Sequence, residues 1–338
     1  MKKLLLVLTA LLISGTANAA VLKFATVAPE GSQWMKDMRA GAAEIKERTE
    51  GRVQIKYYGG GVMGNDKKVL AQIRIRRLHG GAFTPSALAD LYGDINLYGL
   101  PLVFQNEDEI AYVRSMMDER LMAGMYEAGF KTFGFSSGGF AYLMSNLPIT
   151  KLDDMRGKKV WVPEGDSISF AAMEALSLSP VSLPLTDVLT GLQTGLIETV
   201  GMSPIGAIVL QWHTKVDYMT DLPMLFTFGF MAVDTKAWEK IDAADQAIVE
   251  EVMIRTYRKF DEENPAENAN ARDALLNSGV EVVEVNAEEA EKVREILGDL
   301  NRELAEQDMF SIELYDEMLG HIESFRAEQA AATEEVSE

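Results

Sequence analysis

One candidate for chemistry is the G-x-S-x-G segment at 134–138, with Ser136 at its centre. This spacing is typical of the nucleophile elbow of α/β-hydrolases, where a serine attacks an acyl carbon and a histidine takes its proton. His213 and His321 are the candidate bases. The context opposes this interpretation, because an elbow turns directly into a helix and the residues after Gly139 alternate like a strand. A serine hydrolase using Ser136 therefore stays as the alternative function.

A second segment, Gly59–Gly64, matches the G-x-G-x-x-G pattern that holds a dinucleotide pyrophosphate at a strand-to-helix turn. The acidic residue that should end the next strand is absent, since residues 79–83 read HGGAF. We therefore expect a structural turn here. The three histidines lack paired metal spacing, and the chain has no cysteine for thiolate ligation. The sequence predicts no cofactor, no metal site and no catalytic residue.

The charge balance excludes a further class of function. The 338 residues include 32 lysines and arginines against 52 aspartates and glutamates, a formal net charge of −20. Nucleic-acid binding takes most of its affinity from a basic face, so no nucleic-acid partner is expected. From position 281 on, 18 acidic residues face 4 basic ones, which predicts acidic, solvated helix surfaces late in the chain.

The N-terminal residues predict an export signal. Lys2 and Lys3 precede an apolar run over 4–13, and Ala17-Asn18-Ala19 fits the small-x-small rule for cleavage. A run this short cannot span a bilayer as a helix. We therefore expect a signal peptide over 1–19, cleaved near Ala19, and a periplasmic mature protein.

Strand and helix patterns alternate along the mature chain. Residues 21–27 (VLKFATV) and 52–58 (RVQIKYY) read as strands, each followed by a loop and an amphipathic helix. The alternation returns after Phe130, and one long helix is expected over 244–278, bent or broken near Pro265. This order favours an α/β fold with a largely parallel sheet.

Four loops follow predicted strand ends, at 28–31, 83–85, 163–166 and 202–204. Ligands of open α/β sheets bind beyond the carboxyl ends of the strands. Two lobes that face each other through such loops form a cleft that closes by hinge motion. We expect the ligand in that cleft.

The central part of the sequence carries a family resemblance. It lies in GKKVWVP at 157–163, LPLTDVLTGLQTGLIE at 183–198 and Ser203-Pro204. In this order the segments resemble the periplasmic solute-binding proteins of TRAP transporters, the DctP family, whose patterns read G-K-x-x-R-V-P, A-L-Q-T-G-x-V-D-G and x-N-P. Residues 49–53 and 100–104 extend the resemblance over nearly the whole mature chain.

The resemblance implies an α/β fold with two lobes, a ligand cleft between them, crossing segments and a long connecting helix. On this basis we expect lobe I at 20–138 plus about 229–265 and lobe II at 139–228 plus about 266–327, before a disordered acidic tail at 328–338. The implied protein is a non-enzymatic receptor that delivers a small organic ligand to the membrane subunits of a TRAP permease. A signalling or assembly role of the same fold is a third interpretation.

Three places depart from the family pattern. The arginine that usually pairs with the ligand carboxylate is replaced by Trp161, the stretch 137–143 holds no cation where a second arginine often lies, and the asparagine before proline is Ser203. A carboxylate buried against Trp161 without a cation would lose several kcal/mol. The ligand is therefore expected to be more hydrophobic or aromatic than a dicarboxylate. The departure resembles the branch of the family associated with a tetratricopeptide-repeat partner.

The expected site combines aromatic walls with a few orienting polar groups. The residues expected at the ligand are Pro29, Glu30, Phe83, Thr84, Phe140, Tyr142, Trp161, Glu164, Ser203 and Pro204. Trp161 has a second interpretation as core or interlobe packing. In that case Arg74, Arg76 or Arg77 could supply the charge, although a solvated helix face is the simpler explanation for these three.

Overall fold

The structure is a computed structural model that describes residues 19–337, with side chains through 333. The predicted signal peptide thus lies outside the described residues, apart from Ala19. The strands are β1 (Ala20–Ala25), β2 (Val53–Tyr58), β3 (Gly80–Phe83), β4 (Phe130–Lys131), β5 (Ser136–Ser145), β6 (Lys159–Pro163), β7 (Ser179–Leu183), β8 (Thr199–Met202), β9 (Tyr218–Thr220), β10 (Leu225–Asp234) and β11 (Glu281–Val283). The helices are α1 (Gln33–Arg48), α2 (Asp66–Arg74), α3 (Glu107–Glu127), α4 (Ser167–Ala175), α5 (Val188–Thr194), α6 (Pro204–Val209), α7 (Thr235–Trp238), α8 (Ala243–Asn277), α9 (Ala287–Glu306) and α10 (Ile312–Ser337).

The main path of hydrogen-bonded strands runs in the order β2-β1-β3-β10-β5-β8-β6-β7. At one end β1, β2 and β3 are parallel and belong to the first lobe; at the other, β6, β7 and β8 are parallel and belong to the second. In the middle β5 and β10 pair antiparallel. One half of β10 pairs with β5 and the other with β3, so both long strands cross between the lobes. The predicted two-lobed α/β fold is confirmed. The expectation of a largely parallel sheet is wrong, because β5 and β10 pair antiparallel with their neighbours and make the sheet mixed.

Two glycines allow β5 to cross between the lobes. Gly139 has φ +78°, in the left-handed region that side chains avoid, and the Nδ2 of Asn268 lies 2.5 Å from where its Cβ would be. A Cβ on Gly138 would lie 2.6 Å from the hydroxyl of Thr227. The register with β10 shifts at the same place, between Thr227 and Phe228. The strand therefore bends where the two lobes meet.

The long helix α8 connects the lobes. Its N-terminal half buries Val252 and Met253 in one apolar core with α1, and its C-terminal half places Leu275 in a second core with Trp212. The helix continues through Pro265, where the sequence predicts a bend or break. The long connecting helix implied by the family resemblance is present.

The last helix lies elsewhere than the sequence predicts. Residues 266–327 are expected in the second lobe, but α10 packs against α3 of the first, with Met318 in the same core as Met117. Arg326 also pairs with the buried Glu109 at 2.6 Å. The helix continues through Ser337, over the tail predicted to be disordered, because residues 327–332 are alanine, glutamate and glutamine, which favour helix.

Candidate functional site

A cavity of about 690 Å³ lies between the two lobes. All four loops that follow the predicted strand ends contribute residues to its lining. Sites for drug-sized molecules usually measure about 300–1,000 Å³. The cavity is therefore large enough for a small organic molecule with a dozen or more heavy atoms.

The walls of this cavity are mostly apolar. The crossing strand β10 contributes Phe226, Phe228 and Phe230, which also belong to the core, and the second lobe contributes Ile168 and Met173. From β5 come Ala141 and Leu143. The side chains available to a ligand here offer mainly carbon surface.

Trp161 both borders the cavity and packs in the core of the second lobe. The residue is 7% exposed, and its ring contacts Trp212 edge-on with centroids 5.1 Å apart. Its Nε1 donates to the carbonyl oxygen of Leu183 at 3.0 Å. The single polar atom of the ring is thus engaged, so Trp161 offers a ligand only carbon atoms.

The structure places six of the ten residues expected at the ligand on the cavity surface. These six are Pro29, Phe83, Thr84, Trp161, Glu164 and Ser203.

The other four lie elsewhere. Phe140 packs edge-on against Phe226 in the core, with centroids 5.8 Å apart. Tyr142 lies against Arg272, Glu30 pairs with Arg39, and Pro204 is buried at the start of α6. For Phe140 and Tyr142 the reason is strand geometry. Successive side chains alternate in direction, so their neighbours in β5 border the cavity instead.

One polar contact joins the lobes across the mouth of the cavity. Glu164 of the second lobe accepts from Lys67 Nζ at 2.9 Å and from Asn65 Nδ2 at 3.0 Å, both in the first lobe. A side chain of the second lobe also lies close to the glycine loop of the first, since Thr186 Cγ2 is 3.2 Å from where a Cβ of Gly61 would be. The Lys67 side chain is 69% exposed, so the ion pair stabilises closure by about 0.2–1 kcal/mol. A contact of this strength permits opening.

Asp66 lies beside this contact and borders the cavity. Burial, and to a lesser degree the charge of Glu164, raises the pKa of Asp66 from 3.8 to about 6. Between about pH 4 and 6 the folded protein therefore keeps a proton that the unfolded chain has released. Stability from this group is present at low pH and is lost as the pH rises through that window.

We expect Asp66→Asn to remove this pH dependence. The free energy of unfolding of the variant, relative to wild type, should rise by on the order of 1–2 kcal/mol between about pH 4 and pH 7. Urea denaturation at several pH values measures it. A difference between the two proteins that does not change with pH contradicts the assignment.

The G-x-S-x-G segment at 134–138 does not form a nucleophile elbow in the structure. Ser136 borders the cavity, but it lies within β5, paired with Gly229 and not followed by a helix. His213 contacts the carbonyl of Ala207, and His321 lies on α10 near Glu317. Neither histidine borders the cavity, so neither of the two candidate bases lies beside Ser136 in the described part of the chain.

The glycine loop is a turn. The N–H groups of Gly60 and Gly61 donate to the carbonyl oxygens of Ala28 and Thr26, and that of Gly59 donates to Glu30. These donors are therefore not available to a phosphate. Over residues 19–337, no group of three or more histidine, aspartate or glutamate side chains is placed to hold a metal ion. Within the same range no helix is long and apolar enough to cross a bilayer.

The sequence predictions miss several residues that border the cavity. They include Asp66, Lys67, Leu70, Gly201 and the phenylalanines of β10. On α2 a signal exists: Asp66, Leu70 and Arg74 are spaced by four and share one helix face. Arg74 borders the cavity, whereas Arg76 and Arg77 do not.

Comparisons with known proteins agree with this architecture. The family model described as bacterial extracellular solute-binding protein, family 7 (DctP), matches residues 24–308. The C4-dicarboxylate-binding periplasmic protein DctP of Rhodobacter capsulatus is 24% identical over 277 residues, 80% of this chain and 81% of that protein. An uncharacterized protein, YiiZ, of Salmonella typhimurium is 24% identical over 233 residues, which cover 65% of this chain and 68% of that protein.

Solved structures share the fold at low sequence identity. The sugar acid binding protein DctPAm of Advenella mimigardefordensis, in complex with galactonate, superposes with a TM-score of 0.83 at 18% identity, over 90% of this chain and 98% of that one. A TRAP periplasmic solute binding protein of Haemophilus influenzae with bound L-gulonate gives 0.82 at 18% identity, over 90% and 99%. The family match spans most of the chain, and this protein belongs to the DctP family of bacterial extracellular solute-binding proteins of TRAP transporters.

Proposed function

We propose that this protein is the extracytoplasmic receptor of a TRAP-type transporter and that it binds a small organic acid with a largely apolar or aromatic carbon body. The observation that carries the proposal is the interlobe cavity, which combines apolar walls with few unengaged polar groups. Relatives named for a dicarboxylate and structures holding sugar acids support the acid. The carbon body follows from this chain's own side chains.

The polar side chains of the cavity are largely committed to the protein. Ser203 caps α6 and Asp166 caps α4 by accepting from backbone N–H groups. Thr227 donates to the carbonyl of Gly139, and Asn96 to that of Gly93. A polyhydroxylated solute would leave several hydroxyls unpaired in such a site, and each costs about 1–3 kcal/mol.

The residues proposed to contact the carbon body come from both lobes. Trp161, Phe83, Ile168 and Met173 offer ring and aliphatic surface on the cavity. Thr84 lies at the mouth, and its hydroxyl is within 3.2 Å of that of Ser86. These two hydroxyls are the polar pair we assign to orientation of the solute.

Calorimetric titration with two acids of different character tests the proposal. We expect 4-phenylbutyrate to bind with one molecule per chain and with a Kd at least about tenfold below that of D-glucuronate, because its phenyl ring needs no hydrogen-bond partners. Tighter binding of D-glucuronate contradicts the apolar carbon body but leaves an acid receptor. Saturable binding of neither acid contradicts the proposal as a whole.

The partners we propose are the membrane subunits of a TRAP permease, to which the receptor delivers the solute. The receptor itself is proposed to be exported by a signal peptide that is cleaved near Ala19. A periplasmic tetratricopeptide-repeat protein is a further proposed partner. It is suggested by the tryptophan at position 161, where the family usually has arginine. Mixing the purified receptor with that protein and measuring the mass of the complex tests this. Two separate masses at micromolar concentration contradict it.

A further inference from the structure

We propose that Arg74 binds the carboxylate of the solute, in place of the arginine that position 161 lacks. The inference rests on the proposed function, since it assumes that the solute is an acid. Arg74 is the last residue of α2, and one face of this helix borders the cavity through Asp66, Leu70 and Arg74. Arg74 thus borders the cavity from the first lobe, whereas Trp161 borders it from the second.

The other cations near the cavity are engaged or distant. Two cations border it, Lys67 and Arg74. Lys67 pairs with Glu164 at 2.9 Å in the contact between the lobes. Arg74 has no carboxylate within 4.0 Å among the described side chains through residue 333. Among those described side chains, Arg74 is therefore the cation at the cavity that forms no ion pair.

The charges along α2 define an orientation for the solute. Asp66 lies eight residues before Arg74, about 12 Å along the helix axis, and Asp90 also borders the cavity. The ionised carboxylate of Asp66 repels an anion, so the Arg74 end of α2 is the favourable position for the carboxylate of the solute. The planar guanidinium can pair with a carboxylate through two parallel hydrogen bonds.

The exposure of Arg74 fits an acid with an apolar body. Arg74 is exposed at the rim, so a carboxylate paired with it keeps part of its hydration. The carbon body can then enter the cavity toward Trp161, where a carboxylate would be desolvated without a cation. Because the pair is partly exposed, it contributes a moderate share of the affinity.

Arg74→Gln and Arg77→Gln form a matched pair for the test. Arg74 is the last residue of α2 and Arg77 lies three residues beyond it, so both variants remove one positive charge near the same helix end, but Arg77 does not border the cavity. The probes are 4-phenylbutyrate and its uncharged analogue 4-phenylbutyramide, titrated into each variant by calorimetry. We expect Arg74→Gln to raise the Kd for the acid about tenfold and to leave the amide unchanged, while Arg77→Gln changes neither.

Three outcomes overturn the assignment. If both variants lose affinity for the acid equally, the net charge near the helix end matters and contact with Arg74 does not. Equal weakening of acid and amide by Arg74→Gln means that the side chain acts by packing. If wild type binds D-glucuronate and not 4-phenylbutyrate, only the proposed apolar body fails. The same variants are then titrated with D-glucuronate, and no loss in Arg74→Gln overturns the inference.

Discussion

Gly201→Phe is expected to abolish solute binding while leaving the fold intact. Gly201 lies in β8 and borders the cavity, and a Cβ built on it meets no atom within 4 Å. A phenyl ring attached there enters the space that the solute occupies. We expect the Kd to rise at least about a hundredfold, because overlap of a few atoms removes several kcal/mol of favourable contacts.

Gly201→Ala is the matched control for that substitution. Its methyl group enters open space, and alanine reduces the freedom of the unfolded chain, so folding should be unchanged or slightly favoured. Binding should stay within about threefold of wild type. Thermal unfolding of both variants verifies the fold. Wild-type affinity in a folded Gly201→Phe protein would place the solute outside the interlobe cavity.

Trp161→Ala is expected to lower the free energy of unfolding by about 3–5 kcal/mol, as is usual when a large aromatic side chain is removed from a core. Trp161 is 7% exposed, and its ring packs edge-on against Trp212, which is 1% exposed. Urea denaturation measures the loss. A loss below about 1 kcal/mol would mean that Trp161 is a cleft wall with little role in packing.

Two further variants separate the roles of Trp161. In Trp161→Phe the carbonyl of Leu183 keeps its hydrogen bond from the N–H of Glu164, so the loss should be only about 1–2 kcal/mol. Trp161→Arg should be as destabilising as alanine or more so, because a guanidinium would be buried beside Trp212. A stable Trp161→Arg protein that gains affinity for D-glucuronate would contradict this account of position 161.

The sequence predicts the positions of the site loops better than the directions of side chains within strands. The loops at 28–31, 83–85, 163–166 and 202–204 all reach the cavity, because strand ends and turn residues are local signals. The sequence does not predict which side chains of β5 face the cavity. Phe140-Ala141-Tyr142-Leu143 is apolar at every position, so alternation alone cannot tell which face meets the solvent.

Long-range packing explains the other differences. The apolar face of α10 fits equally well against any apolar helix, and only the tertiary structure assigns it to α3 of the first lobe. Three arginines close together in sequence are likewise equivalent until α2 is placed. Asp66, Leu70 and Arg74 then share the helix face that borders the cavity. The helix ends at Arg74 and Arg76 has φ +60°, so the helix period does not extend to Arg76 and Arg77.

An organic acid with an apolar body is the solute we propose for the cleft. The most direct measurement is mass spectrometry of the solute released by denaturing protein that was purified from its native periplasm. We predict one carboxylic acid, near one molecule per chain, with few or no hydroxyl groups, and its absence from Gly201→Phe purified in parallel. A polyhydroxylated acid, or a solute without a carboxylate, released from the wild-type protein would contradict the account.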